Sequence, residues 1–155
     1  MSRGPIWRIV LVLLAIGVLG ACARIKEHTR EQSFQEDISE YGRMIRWGFY
    51  DAARGYIRKA PPPKEDGGAS RTADVPQTSE EVDTARLKPV RVTSYEIVSQ
   101  RFSPRDPNRA VVRAHIEYYR EDSPTVRELT DEQQWWYDEK AGRWYLDGTL
   151  PEFSR

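Results

Sequence analysis

The chain has 155 residues, which is enough for one ordinary domain, and its 24 basic and 24 acidic side chains leave no net charge. This balance argues against a dedicated nucleic-acid binder, which needs a basic surplus on one face to displace the counterions of the phosphate backbone. The single cysteine, Cys22, excludes an intramolecular disulfide.

The N-terminal segment begins with two arginines, Arg3 and Arg8, and continues as a run of apolar or small residues over 9–23. A run of about 15 residues suits the core of a signal peptide and is shorter than the ~20 residues that span a bilayer as a helix. Small residues precede Cys22, as a signal peptidase requires. We therefore predict a signal peptide over 1–21 that is cleaved between Ala21 and Cys22.

The sequence Leu19-Gly20-Ala21-Cys22 resembles the lipobox of bacterial lipoproteins. In that family the cysteine thiol receives a diacylglyceryl group, the peptide is cut before the cysteine, and the new amine is acylated. The resemblance implies a membrane partner through a lipid anchor at Cys22, and a location in the bacterial cell envelope. Because Ala23 rather than Asp follows the cysteine, it also implies the outer membrane, with the domain facing the periplasm. An uncleaved transmembrane anchor and a plain signal peptide with an incidental cysteine are the alternatives.

A tether over 22–32 and a single domain over 33–153 are predicted next. Residues 24–32 are polar and suit a tether or the first turns of a helix. A helical pattern follows, and Gly48 then interrupts it as a helix C-terminal glycine would. A second helical pattern comes directly after Gly48, so the two form a predicted helical hairpin. The first stripe contains Phe34, Ile38, Tyr41, Met44, Ile45 and Trp47, and the second contains Phe49, Ala52, Ala53, Tyr56 and Ile57.

The stretch over 61–86 is rich in proline, glycine and acidic residues. Its only large apolar residues are Val75 and Val82. Such a segment cannot bury enough apolar surface to offset the entropy of ordering it. We predict a mobile loop here, with a short helix near 79–86 as an option. A partner-binding arm is the functional alternative.

From residue 87 onward the pattern has a period of two, which is typical of strands. The predicted strands cover 89–98, 110–119, 125–138 and 143–148, and short turns connect them as an antiparallel meander. The alternation changes phase near Ser94, which predicts a β-bulge. In the second strand His115 falls on the polar face, opposite the apolar face of Ala110, Val112, Ala114, Ile116 and Tyr118.

Helices followed by a curved antiparallel sheet resemble the nuclear-transport-factor-2-like (ketosteroid-isomerase-like, cystatin-like) superfamily. The helix–Gly48–helix unit, the bulge near Ser94 and the turn between Trp136-Tyr137-Asp138 and Gly142-Arg143-Trp144 carry the resemblance. It implies an α+β fold in which an N-terminal helical hairpin packs on a curved four-stranded antiparallel sheet and closes one end of a conical pocket. Members include enzymes, binding modules and assembly domains, so the fold alone implies no activity.

The motif search gives little support for catalysis. His28 and His115 lack the spacing of a metal pair, and no Gly-x-Ser-x-Gly, phosphate loop or Gly-x-Gly-x-x-Gly is present. The sequence therefore favours a non-enzymatic binding or assembly domain with no cofactor, no metal and no nucleic-acid partner. The alternative is a small-molecule binder or an isomerase-like enzyme, whose acid and phenols would come from Glu96, Tyr41, Tyr56 and Tyr118.

The densest aromatic patch consists of Trp135, Trp136, Trp144 and Tyr145. Because neighbouring residues of a strand point to opposite faces, one member of each pair should face the helices and the other should face outward. The outward members are a candidate contact surface for an envelope protein, for a second copy of the chain or for a ligand.

Overall fold

The computed structural model describes residues 28–62 and 84–153. The predicted signal peptide, Cys22 and residues 63–83 of the predicted loop lie outside the described residues. The part of the chain that is described contains no helix long and apolar enough to cross a membrane.

Helix α1 covers 28–46, and its buried side contains the four residues at the centre of the predicted stripe, Phe34, Ile38, Tyr41 and Ile45. The predicted tether is therefore shorter than expected, because residues 28–32 are already helical. The first turn is held by the sheet, since the indole Nε1 of Trp144 donates to the carbonyl of Arg30 over 3.1 Å. The polar residues of this stretch form the solvated side of a helix.

A Schellman motif ends α1. Gly48 adopts a left-handed conformation with a φ of 72°. The amide of Phe49 donates to the carbonyl of Met44 at 2.8 Å, and the amide of Gly48 donates to the carbonyl of Ile45 at 3.2 Å. The second helix is much shorter than predicted: α2 covers Tyr50–Ala53 and is followed by a 3₁₀ turn at Arg54–Tyr56. A second 3₁₀ turn covers Thr84–Leu87, near the predicted short helix.

Four strands form one antiparallel sheet in the order β1-β2-β3-β4, which confirms the predicted α+β meander. β1 covers Val90–Phe102, β2 covers Arg109–Arg120, β3 covers Ser123–Asp138 and β4 covers Arg143–Leu146. The register of β1 against β2 shifts between Val92 and Ser94, so the predicted bulge is confirmed. A second register shift, between Ile97 and Ser99, was not predicted, although the inward apolar positions change from Tyr95 and Ile97 to Phe102 across it.

The core lies between α1 and one face of the sheet, which we call the inner face. Residues Ala110 to Tyr118 contribute every second side chain to it, as the alternation of β2 predicts. Gly42 lets the helix approach β1 closely: a Cβ at this position would lie 2.6 Å from Cε1 of Tyr95. Arg46 Nη1 also donates to the carbonyl of Val92, so the C-terminal end of α1 is fixed to the same strand.

The outer edge of β4 is covered by the segment that follows the first 3₁₀ turn. Ile57 forms a parallel bridge with Leu146, and the amide of Arg58 donates to the carbonyl of Leu146 at 2.9 Å. Covering an edge strand in this way removes a site for unwanted strand pairing.

Candidate functional site

A polar cluster lies beneath α1 on the inner face of the sheet, where the chain otherwise buries apolar groups. Its members are Tyr41 of α1, Tyr95 of β1, and Asp131, Gln133 and Trp135 of β3. The three β3 residues are spaced by two, so the pleat of the strand points all of them toward the helix. We call this group the Asp131 cluster.

Gln133 is the centre of the cluster. Its Nε2 donates to the Tyr95 hydroxyl at 2.9 Å and to Oδ2 of Asp131 at 2.7 Å, and its Oε1 accepts from Nε1 of Trp135 at 3.0 Å. Both amide hydrogens of this buried side chain are therefore used. The arrangement holds the Asp131 carboxyl and the Tyr95 phenol on either side of one amide group.

Burial dominates the electrostatics of the cluster. Burial raises the pKa of Asp131 above its ordinary value, and the hydrogen bond from Gln133 opposes this shift. Burial also raises the pKa of Tyr41, with further contributions from the nearby Asp131 and Tyr95. The Tyr41 hydroxyl is buried and has no hydrogen-bond partner among the described residues. The cluster therefore places a carboxyl and two phenols, all of them hydrogen-bonding groups, in a buried region beneath α1.

The sequence located only part of this cluster. Of the four predicted suppliers of acid and phenol, Tyr41 belongs to it, whereas Glu96 is exposed and Tyr56 donates to Glu40 at 2.8 Å. Tyr118 packs on Phe153, with ring centroids 4.8 Å apart. The acid that the structure supplies is Asp131, and the alternation of Leu129, Asp131, Gln133 and Trp135 is the sequence signal that indicates its inward position.

The space between helix and sheet is filled by large side chains. The rings of Tyr41 and Tyr56 pack edge-on against Trp135 at 5.5 and 6.1 Å, and Phe34 packs against Trp144 at 4.8 Å. These aromatic contacts occupy the region in which the fold resemblance implies a conical pocket.

The four residues of the predicted aromatic contact surface are all buried. Trp135 and Trp144 face the helix, as expected for the inward members. The outward members, Trp136 and Tyr145, are only 9% and 5% exposed, so they do not form the open surface that we predicted. The reason is that the chain covers them itself: the Arg58 carbonyl accepts from Nε1 of Trp136 at 2.8 Å, and the Arg58 guanidinium lies 4.0 Å from the Tyr145 ring centroid.

Exposed aromatic groups occur instead at the end of α1. Trp47 is 68% exposed and Phe49 is 61% exposed, although both were predicted to belong to apolar helix stripes. The helix ends at residue 46 and Gly48 reverses the chain, so neither side chain follows the buried face. The guanidinium of Arg46 lies 5.5 Å from the Trp47 ring centroid. We call Trp47, Gly48 and Phe49 the aromatic tip.

No protein family, curated protein or solved structure matches the chain. The geometry of the described residues and the motifs of the sequence therefore carry the functional argument. Two features are chemically distinctive on the helix side of the molecule, namely the Asp131 cluster and the aromatic tip.

Proposed function

We propose that the chain is a lipid-anchored protein of the bacterial envelope whose domain is a non-catalytic binding or assembly module. The basic start, the apolar run and Leu19-Gly20-Ala21-Cys22 support the anchor. The order of helices before a bulged antiparallel sheet, with α1 on its inner face, supports a fold of the nuclear-transport-factor-2-like kind. The lipid at Cys22 would keep the domain at high local concentration near membrane-bound partners.

The aromatic tip is the observation that carries the binding proposal. Large exposed aromatic side chains are enriched in the centres of protein interfaces, where a rigid ring buries much area at little cost in conformational entropy. Trp47 lies beside Arg46, which is itself fixed to the sheet by its hydrogen bond to Val92. The tip is therefore presented by an ordered helix end.

The position of the tip favours a protein partner over the anchoring bilayer. Five residues lie between Cys22 and residue 28, and the six steps from one to the other reach at most ~20 Å when the chain is extended. Helix α1 then runs 19 residues, roughly 28 Å, from residue 28 to residue 46. The aromatic tip is thus at the opposite end of α1 from the attachment point.

Metabolic labelling with radioactive palmitate tests the anchor. We expect label in the wild-type chain, none in Cys22→Ala, and release of that variant from the membrane fraction. A wild-type chain without label, or a labelled Cys22→Ala chain, contradicts the lipoprotein proposal.

Site-specific photo-crosslinking in intact cells tests the contact surface. A photoreactive residue at position 47 should give one protein adduct of defined size, and this adduct should disappear when Phe49→Ser or Cys22→Ala is added. Val126 is 58% exposed on β3 and is the matched control position. A dimer-sized adduct identifies self-association. Equal adducts at 47 and 126, or adducts with lipid only, contradict a protein contact at the tip.

The Asp131 cluster supports a second candidate, a small-molecule binder in which a ligand would have to displace the side chains that fill the space between α1 and the sheet. The Tyr41 phenol, which is buried and has no hydrogen-bond partner in the described part of the chain, and the Asp131 carboxyl, whose pKa is raised, are suited to a neutral ligand that presents a carbonyl or hydroxyl oxygen. A thermal-shift screen with small carbonyl compounds tests this candidate. A true ligand should lose its effect in Tyr41→Phe and keep it in Trp47→Ala.

A further inference from the structure

The face of the sheet that points away from α1 carries a histidine and two glutamates in one place. His115 and Glu117 are two residues apart on β2, so their side chains share this outer face, and Glu128 is the register partner of Glu117 on β3. One imidazole nitrogen and one oxygen of each carboxylate all lie within 4.8 Å of one another. We call these three residues the His115 triad.

The carboxylates around the triad repel one another, and a bound cation would relieve this repulsion. Glu117 and Glu128 lie directly opposite each other, and like charges at such a cross-strand position are destabilising. Glu96 of β1 pairs with His115 and adds a third carboxylate to the same face. Arg113, which is also on β2, is already bound to Glu132 at 2.9 Å. Among the described residues, neither Glu117 nor Glu128 forms an ion pair.

We propose that the His115 triad binds a divalent transition-metal ion, for which Zn²⁺ is the probe. An imidazole nitrogen favours zinc and its neighbours in the first transition series over magnesium and calcium, and two carboxylates complete a three-donor set. Donors bound at about 2.0–2.2 Å in a tetrahedral site lie about 3.4 Å apart. Since the donors lie within 4.8 Å of one another, they have to close by at most about 1.4 Å, which the rotatable bonds of glutamate allow while the strands keep the backbone fixed.

The site is independent of the aromatic tip and of the Asp131 cluster, because the sheet separates it from both. Three protein donors leave at least one coordination position open to water or to a donor from another molecule. His115 and Glu117 are half-buried and Glu128 is exposed, so a metal ion would reach the triad from solvent.

Calorimetric titration of metal-free, full-length protein with ZnCl₂ in detergent micelles tests the proposal. The chain carries Cys22→Ala so that a free thiol does not compete for zinc. We expect one Zn²⁺ per chain, at least tenfold weaker binding in His115→Gln and in Glu128→Gln, and unchanged binding in the matched controls His28→Gln and Glu132→Gln. Absence of saturable binding, or its loss in either control, overturns the proposal.

Thermal unfolding of the same proteins separates binding from a structural role. Zn²⁺ should raise the unfolding temperature of the reference chain, because a ligand that binds only the folded state stabilises it. Glu117→Gln should be more stable than the reference chain without metal, since the like-charge pair is removed, and should gain less from Zn²⁺. A Glu117→Gln variant that gains as much from Zn²⁺ as the reference chain contradicts the triad.

Discussion

At the scale of single residues, the two phenols of the Asp131 cluster predict mutational effects of opposite sign. Tyr41→Phe removes a buried hydroxyl that has no hydrogen-bond partner among the described residues, so we expect the free energy of unfolding to rise by about 1 kcal/mol. Tyr95→Phe removes the acceptor of the bond from Gln133 and leaves a buried amide hydrogen unpaired, so we expect a loss of about 1–2 kcal/mol.

Urea denaturation followed by circular dichroism measures both phenol variants under one set of conditions. The two substitutions are chemically identical, so each is the control for the other. Destabilisation of similar size in both variants would show that the Tyr41 hydroxyl is satisfied in the folded protein.

The carboxyl of Asp131 predicts a pH dependence of stability. Because burial raises its pKa in the folded state, the folded chain retains a proton at pH values where the unfolded chain has lost it. Burial of this carboxyl therefore lowers the free energy of unfolding as pH rises through that interval. The destabilising effect is absent well below the ordinary carboxyl pKa of 3.8, where both states are protonated.

Asp131→Asn should consequently be more stable than the wild type at pH 7, and this advantage should shrink as pH falls toward 3. The amide oxygen of asparagine is still able to accept the bond from Gln133. Urea midpoints measured from pH 3 to pH 7 test the trend, with the exposed Glu132→Gln as the control. An advantage that grows toward acid pH contradicts the burial of a charged carboxylate.

At the scale of structural elements, the segment over 57–62 stabilises the β4 edge and the outer aromatic pair. Arg58 contributes a guanidinium stacked over Tyr145 and an ion pair with Asp138 at 3.5 Å. We expect Arg58→Ala to cost about 1 kcal/mol, because a stacked arginine contributes both packing and a cation–π interaction. Its backbone carbonyl still accepts the bond from Trp136, so the fold should be kept.

Fluorescence quenching by acrylamide reports on the cover over Trp136. Arg58→Ala should increase the accessible fraction of tryptophan emission, whereas the exposed neighbour Lys59→Ala should leave it unchanged. Equal quenching in wild type and Arg58→Ala would mean that the rest of the segment covers the pair without the guanidinium.

Sequence periodicity located elements wherever apolar residues marked a face. The stripe from Phe34 to Ile45 and the alternation of β2 predicted the inner surface of α1 and of the sheet. Trp47 and Phe49 were assigned wrongly because periodicity does not report where a helix stops, and the turn at Gly48 removes both rings from the buried side. Trp136 was predicted to be exposed because its outward position and aromatic character do not show that the segment over 57–62 covers it.

The polar cluster was harder to predict than the core for a related reason. Asp131 and Gln133 occupy inward positions of β3, but polar residues in a strand ordinarily mark its solvated face. The apolar residues Leu129 and Trp135, which share the phase of Asp131 and Gln133 along the strand, indicate the inward direction. The closure of α1 over β1 at Gly42 decides that these groups are buried, and that contact joins residues 53 positions apart in the sequence.

At the scale of the whole molecule, α1 connects nearly every part of the domain, which predicts a single cooperative unit. Asp37 accepts a hydrogen bond from the amide of Trp144 in β4 at 2.8 Å, and Glu40 accepts one from Tyr56 at 2.8 Å. A chain that begins at residue 24 should therefore unfold in one transition, with circular dichroism and tryptophan fluorescence giving the same midpoint.

A chain that begins at residue 36 lacks Phe34, which packs on Trp144, and losing a buried phenylalanine costs about 3–5 kcal/mol. Since small domains are stable by only about 5–15 kcal/mol, the shorter chain should be largely unfolded at 37 °C. Separate transitions in the longer chain, or native fluorescence in the shorter one, would mean that the sheet folds without its helix.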